Sequence, residues 1–392
     1  MQRRLISAAS DGFIPSRLVT ARHARGLRQN ELAEAINRTP ATLSKWESDS
    51  YPHSPDHEGL EKLSGVLNVG VSWFFKPFET NGSAPFYRSM KSALSLARSK
   101  MAAQLRLVDE IHTTLSEWVE FPDVDIPDLM LGRDYKDLRF EDIDAIAVRL
   151  RDYWDLGDDP IDDLMLLIEN AGVAVAEDFV DSAKLDGISQ WIANRPVMLL
   201  AKDKEGGVRR RFDAAHELGH LLLHRHVSEN EIATNIALIE EQAMAFAGAF
   251  LLPTAAFVSS TYEISLDGFA DVKPRWKVSV AAMIKRARAL DLVSEEHERN
   301  LWKYYSYKRW RGNEPYDDRL EVERPINLGQ AVDMLAEESA ESVSEFLRSV
   351  SLPRQDIERL TGVTLPGPMI ERSKIKLRVV GGKGEARAAA ND

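Results

Sequence analysis

The feature that most constrains this chain is His216-Glu217-Leu218-Gly219-His220, set inside the run Arg211 to His224. The run has helical periodicity, with Phe212, Ala215, Leu218, Leu222 and Leu223 spaced to hold a helix against a core. On such a helix His216 and His220 lie one turn apart on the same face. Two imidazoles so placed can share one Zn²⁺ and leave room for water. Glu217 stands at the edge of that face, within reach of the water as a general base. A structural histidine pair is the plainer alternative. It leaves unexplained a glutamate in an otherwise apolar helix, where burial demands a partner or a cavity.

Zinc needs a third protein ligand, and Glu240 is the choice made here. The segment Glu240-Glu241-Gln242-Ala243-Met244-Ala245-Phe246-Ala247 reads as a second helix with an acidic start. Ala243 and Ala247 fall on the face of Glu240 and would let two helices approach closely. Glu241 shares its face with Met244, Ala245 and Gly248 and is a rival. His226 is another, standing where a longer motif places a third histidine, but that motif turns the chain on a glycine and position 223 is Leu. His224 lies one further turn along, away from the metal.

The run RFDAAHELGHLLLH, followed by EEQAMAFAGAFLLP, resembles the ImmA/IrrE family of metallo-endopeptidases. Leu185-Asp186-Gly187-Ile188-Ser189-Gln190-Trp191 and Pro196-Val197-Met198-Leu199-Leu200 upstream also resemble it. The resemblance implies an α+β zincin-like domain, Zn²⁺ as cofactor and a protein substrate, often a repressor or antitoxin cleaved in a stress or mobile-element response.

Residues 16 to about 75 read as four or five short helices. Ser16 is placed to cap the first. Gln29 to Ile36 form the second, and Asn37 sits where a tight turn wants a positive φ. Thr39 caps a third, with Pro40 at its first position. Two short helices joined by a tight turn are a helix-turn-helix. RQNELAEAINRTPATLSKWES resembles the Cro/repressor-like (XRE) family. By that resemblance Gln29 would bond a phosphate. Pro40, Ala41 and Lys45 would face the major groove, with Thr39, Thr42 and Ser44 beside them. Leu32, Ile36 and Leu43 would be core. Pro40 and Ala41 offer bases no side-chain hydrogen bond, so direct readout would fall chiefly on Lys45.

A net charge of −12 argues against general polyanion binding, yet residues 1–77 carry ten Lys/Arg against eight Asp/Glu, so the acidity lies elsewhere. With no cysteine, disulfides and thiolate metal sites are excluded, which suits a cytoplasmic setting. No signal peptide or membrane span is read. Residues 86 to about 120 form a long helical pattern, either a connector or homodimer helix or one simply packed on its neighbour. Strands are expected at 172–176, 188–193 and 197–201. The aromatic and basic run Trp302 to Arg311 reads as core aromatics with solvated charges, or as a nucleic-acid surface. The tail from Gly381 is expected to be mobile.

The expected fold is mainly α with a small β-sheet. A helix-turn-helix bundle spans 1–78, a helical connector 79–130, the metallopeptidase domain 131–265 and a helical C-terminal region 266–392. The expected function is a DNA-binding regulator with zinc-dependent endopeptidase activity. Two rivals stand beside it: a transcription factor whose peptidase-like domain senses a ligand, and a toxin–antitoxin or phage-defence component.

Overall fold

The computed structural model describes residues 12–50, 53–77, 82–83, 85, 95–180, 185–203 and 206–365. The tail from Gly381 and the first nine residues of the 86–120 pattern lie outside them.

The N-terminal helices are α1 (Pro15–Ala24), α2 (Gln29–Ala35), α3 (Pro40–Trp46) and α4 (His57–Leu67), closed by a 3₁₀ turn at Val71–Phe75. Asn37 takes φ 54° in the turn between α2 and α3. Thr39 Oγ1 accepts from Thr42 N, and Pro40 opens α3. Leu32, Ile36 and Leu43 are buried. The first cap differs from expectation. Pro15 opens α1 after Ile14 without a side-chain cap, and Ser16 lies inside the helix. Pro15 takes the first helical position, where a backbone N–H would have no intrahelical partner and where its fixed φ suits a first turn.

Helix α5 (Ser95–Leu115) packs on α1 at one side and on the sheet at another. Helices α6 (Phe140–Tyr153) and α7 (Leu164–Asn170) lead into the sheet. It comprises β1 (Ala174–Asp178), β2 (Gly187–Ile192) and β3 (Arg195–Ala201), in the order β1-β3-β2. β3 runs parallel to β1 and antiparallel to β2, with Ser189 opposite Met198. Side chains alternate between faces, as a strand's period of two requires. Val175, Trp191, Met198 and Leu200 join one core; Ala176, Ile188, Val197 and Leu199 join the other.

The first core holds α8 (Gly207–Leu223) and α9 (Glu229–Leu251). Around them lie α11 (Leu266–Trp276), α12 (Val280–Ala289) and α13 (Glu295–Tyr307), after the short α10 (Thr254–Ser260). The second core holds the N-terminal bundle, α5, and α14 (Asn327–Glu338), α15 (Ala340–Val350) and α16 (Arg354–Thr361). Ion pairs seat the bundle there. Arg25 grips Asp356 of α16, which also pairs with Arg359, and Arg359 in turn pairs with Asp178 at the end of β1.

α9 departs from the expectation of a helix beginning near Glu240. It begins at Glu229, because Ser228 and Glu231 form a reciprocal capping box, and it kinks at Asn235 (φ −117°, ψ 22°). Glu240 therefore lies mid-helix, past the kink. In the run 302–311, Tyr305 is buried, with its hydroxyl on Glu314, while Lys308 pairs with Asp267. Tyr304 and Tyr307 are exposed. Among the described residues no single helix is long and apolar enough to cross a membrane.

Candidate metal centre and nucleic-acid interface

Helix α8 is almost entirely buried, and Leu218, Leu221 and Leu222 pin it. Each such side chain contributes about 1.5–3 kcal/mol. Its approach to α9 is close at Gly219, where a Cβ would lie 3.3 Å from Ala243 Cα and 3.0 Å from Phe246 Cδ1. That close packing brings Glu240 to the histidine face.

His216, His220 and Glu240 each offer one ligand atom, all within 4.8 Å of one another. The two Nε2 atoms are 3.0 Å apart. Glu240 Oε2 lies 3.4 Å from His216 Nε2, and its Oε1 lies 3.3 Å from His220 Nε2. Ligands about 2.0–2.1 Å from a tetrahedral zinc ion stand about 3.3 Å from each other, so this donor set has the edge lengths of such a site. Glu240 Oε1 is also buried without a hydrogen-bond partner. A carboxylate oxygen so placed suits a cation.

The electrostatics agree. Burial would raise Glu240, but the two imidazoles outweigh it and hold the carboxyl well below the usual range. Burial would lower His216, yet Glu240 and Glu217 reverse that and raise it; His220, where burial dominates, is lowered. The site keeps its carboxylate ionised beside the two imidazoles.

Glu217 lies beside this group, where burial pushes its carboxyl up to about 8 against the pull of His216 and of the Ser189 hydroxyl. Ser189 Oγ donates to Glu217 Oε2 at 2.7 Å. Gly187 of the same strand faces Glu217, where a Cβ would meet Oε1 at 2.8 Å. The β2 strand thus orients the glutamate through a hydroxyl and makes room for it with a glycine. The resemblance had pointed to Gly187 and Ser189 only as parts of a motif.

Behind His220 runs a hydrogen-bonded chain that the residue pattern did not reveal. His220 Nδ1 and His224 Nδ1 are 3.1 Å apart, and His224 Nε2 is 3.0 Å from Gln242 Oε1. Gln242 Nε2 donates to Tyr135 O at 2.6 Å. Because a carbonyl can only accept, the chain fixes its own direction: Gln242 accepts from His224 Nε2–H, and His224 Nδ1 accepts from His220 Nδ1–H. His220 is left with its Nε2 lone pair facing Glu240 and His216. The signal in the sequence was His224 at one further helical turn.

The two rivals for third ligand lie elsewhere. Glu241 is exposed, and His226 is largely exposed and paired with Asp128 at 2.8 Å.

In the N-terminal bundle Thr39, Pro40, Ala41, Ser44 and Lys45 are exposed together at α3, with Thr42 half-buried. Gln29, expected at a phosphate, lies half-buried at the start of α2. Its Nε2 donates to Glu47 at 2.9 Å, and Glu47 also takes a two-pronged contact from Arg22. These three side chains hold α1, α2 and the end of α3 at a set angle.

Comparison with known proteins agrees with this division. A family described as helix-turn-helix matches residues 19–74. A peptidase family described as IrrE N-terminal-like domain matches residues 168–288. No curated protein matches the chain. The second match takes in β1 to β3, the α8 histidines, Glu217 and Glu240, and runs on through α11 into α12, beyond the boundary at 265 expected from sequence. The chain therefore carries a Cro/repressor-like (XRE) helix-turn-helix domain fused to an ImmA/IrrE-like metallopeptidase-type domain.

Proposed function

We propose that the chain is a DNA-binding regulator whose peptidase domain is a zinc-dependent endopeptidase, acting on a repressor- or antitoxin-like protein. The observation that carries this is the convergence of His216, His220 and Glu240 beside a buried Glu217 held by Ser189. His216, His220 and Glu240 would hold the ion. When bound, Zn²⁺ supplies a Lewis acid for a peptide carbonyl and for water. Glu217 takes a proton from the attacking water and returns it to the leaving amine. A carboxylate there can take the proton as base and, once protonated, give it up as acid. The Ser189 hydroxyl keeps one carboxylate oxygen fixed and leaves the other to the proton. His224 and Gln242 position His220 from behind. At the other end, the exposed α3 residues, with Lys45 as cation, form the face offered to DNA.

The test is Glu217→Gln, which keeps the side chain's shape and removes its basicity. Zinc content should stay stoichiometric while cleavage of the protein encoded beside the gene falls about 10²–10⁴-fold. Cleavage at the wild-type rate would refute the mechanism. Stoichiometric zinc with no cleavage by the wild type would favour a sensing role for the domain.

A further inference from the structure

Residues 299–311 carry five cations and no acid, in a chain of net charge −12. The five lie on α13 and the turn after it, beyond the residues 168–288 matched by the peptidase family. The aromatic residues of this run divide into two sets. Trp302, Tyr305 and Trp310 face inward and pack edge to face, with ring centroids 5.4 and 6.1 Å apart. With Leu301 they anchor the helix in the peptidase core. Tyr304 and Tyr307 face outward and are 60% and 84% exposed.

The outward tyrosines share their face with the charges. Tyr304 and Tyr307 are three residues apart and Lys303 is four before Tyr307, so the three are neighbours on one stripe. Arg299 is exposed one turn before Lys303, and Arg309 and Arg311 are exposed in the turn after the helix. Among the described residues Lys308 alone of the five cations has a carboxylate partner, Asp267. Folding does not account for this face. Like charges one turn apart, as in Arg299 and Lys303, destabilise a helix, and an exposed phenol ring gains nothing from burial. The helix dipole favours a cation in the last turn, but no aromatic ring. Cations interleaved with exposed rings suit a single nucleic-acid strand, which offers phosphates and open base faces together. In a duplex those faces are already stacked on each other. An anionic membrane surface would instead bury aliphatic side chains, and the exposed face of α13 carries none.

We propose that the outer face of α13 and the turn after it bind single-stranded nucleic acid. Tyr304 and Tyr307 stack on bases, while Arg299, Lys303, Arg309 and Arg311 meet phosphates. The chain then has two nucleic-acid surfaces of different kinds: α3 is offered to duplex, and α13 to strands that are not paired. This second surface depends neither on the peptidase reading nor on the α3 contacts.

Fluorescence anisotropy of a labelled oligothymidylate, titrated with the full chain at about 50 mM salt, tests it. The double variant Tyr304→Ala, Tyr307→Ala should weaken binding about 30-fold, the lower end of what two stacked bases contribute. Both side chains are exposed, so the fold is spared, and circular dichroism checks this. The double variant Lys303→Gln, Arg311→Gln should lower the salt slope by about 1.4, as for two phosphate contacts to a single strand. Lys45→Ala, on α3, should leave oligothymidylate binding within about twofold. A wild type that does not bind the oligonucleotide overturns the proposal. So does a tyrosine variant that binds as the wild type does, since charge alone would then explain the binding. Loss on Lys45→Ala in place of the tyrosine pair would give the binding to α3, and binding to phosphatidylserine vesicles in place of the oligonucleotide would give the face to a membrane; either result overturns the proposal as well.

Discussion

Replacing Glu240 by alanine tests the metal centre most directly. Among the described residues its carboxylate is the acidic group that pairs with both His216 and His220, at 3.4 and 3.3 Å. Zinc held by four protein ligands is worth about 10–16 kcal/mol, or roughly 3 kcal/mol for each ligand. At 1.36 kcal/mol per decade that is about two decades of affinity. Glu240→Ala should therefore weaken zinc binding about 100-fold. Gly219 still packs on Ala243 and Phe246, so the two helices should stay together. Competition with a chromophoric chelator at pH 7.5 gives the dissociation constant, and circular dichroism checks the fold. Glu241→Ala and His226→Ala serve as controls and should stay within about twofold, because Glu241 is exposed and His226 is turned toward Asp128. A Glu240→Ala protein with wild-type zinc affinity refutes the assignment, and loss on Glu241→Ala would move the ligand one residue along the helix.

Three further outcomes are expected. Lys45→Ala should weaken salt-sensitive binding to the chain's own upstream DNA about tenfold and lower the salt slope by about one, with zinc content unchanged; an unaltered salt slope speaks against Lys45 as a phosphate or base contact. His224→Phe should weaken zinc about 10–100-fold by removing the acceptor for His220 Nδ1–H, and chelator competition reads it; unchanged affinity removes His224 from the site. Burial pushes Glu169 up to about 7, against the two backbone donors Ile326 N and Asn327 N. A carboxyl raised in the folded state contributes stability that is full below its unfolded value near 4.5 and is lost as pH rises through about 7. Thermal unfolding should show Glu169→Gln losing its advantage over the wild type as pH falls from 8 to 5; a gap that does not depend on pH contradicts the linkage.

The parts of this fold that could be read from residues are those governed by local rules. Asn37 marked a left-handed turn because few other residues tolerate one. Thr39-Pro40 marked a helix start because one supplies an acceptor and the other lacks an N–H. The spacing of His216 and His220 follows from the helical period, and the small residues Ala243 and Ala247 marked a close helix approach. The start of α9 was also available locally, in Ser228-x-x-Glu231, but the acidic pair Glu240-Glu241 imitated an N-terminus and drew the reading twelve residues downstream of Ser228. The remainder depended on distance along the chain. Nothing near Gln29 announces that Glu47 will take its amide, and nothing near Gly82 announces its bridge to Ile192 of β2. Helices 327–361 could be expected as helices, but their role as a seat for α1 rests on Arg25 meeting Asp356, a pairing that no periodicity encodes.

That pairing has a consequence for how the molecule is made. The helix-turn-helix leaves the ribosome well before Arg359, the last link in the chain of charges from Arg25 to Asp178, which is 282 residues beyond Pro77. At roughly 5–20 residues per second, synthesis of that interval takes about 15–60 s. During every round of translation the DNA-binding unit thus exists before the surface that will hold it. A message broken between the codons for Leu223 and Asp356 would yield a protein that retains α1 to α4 and the histidine helix yet leaves Arg25 without the carboxylate of Asp356.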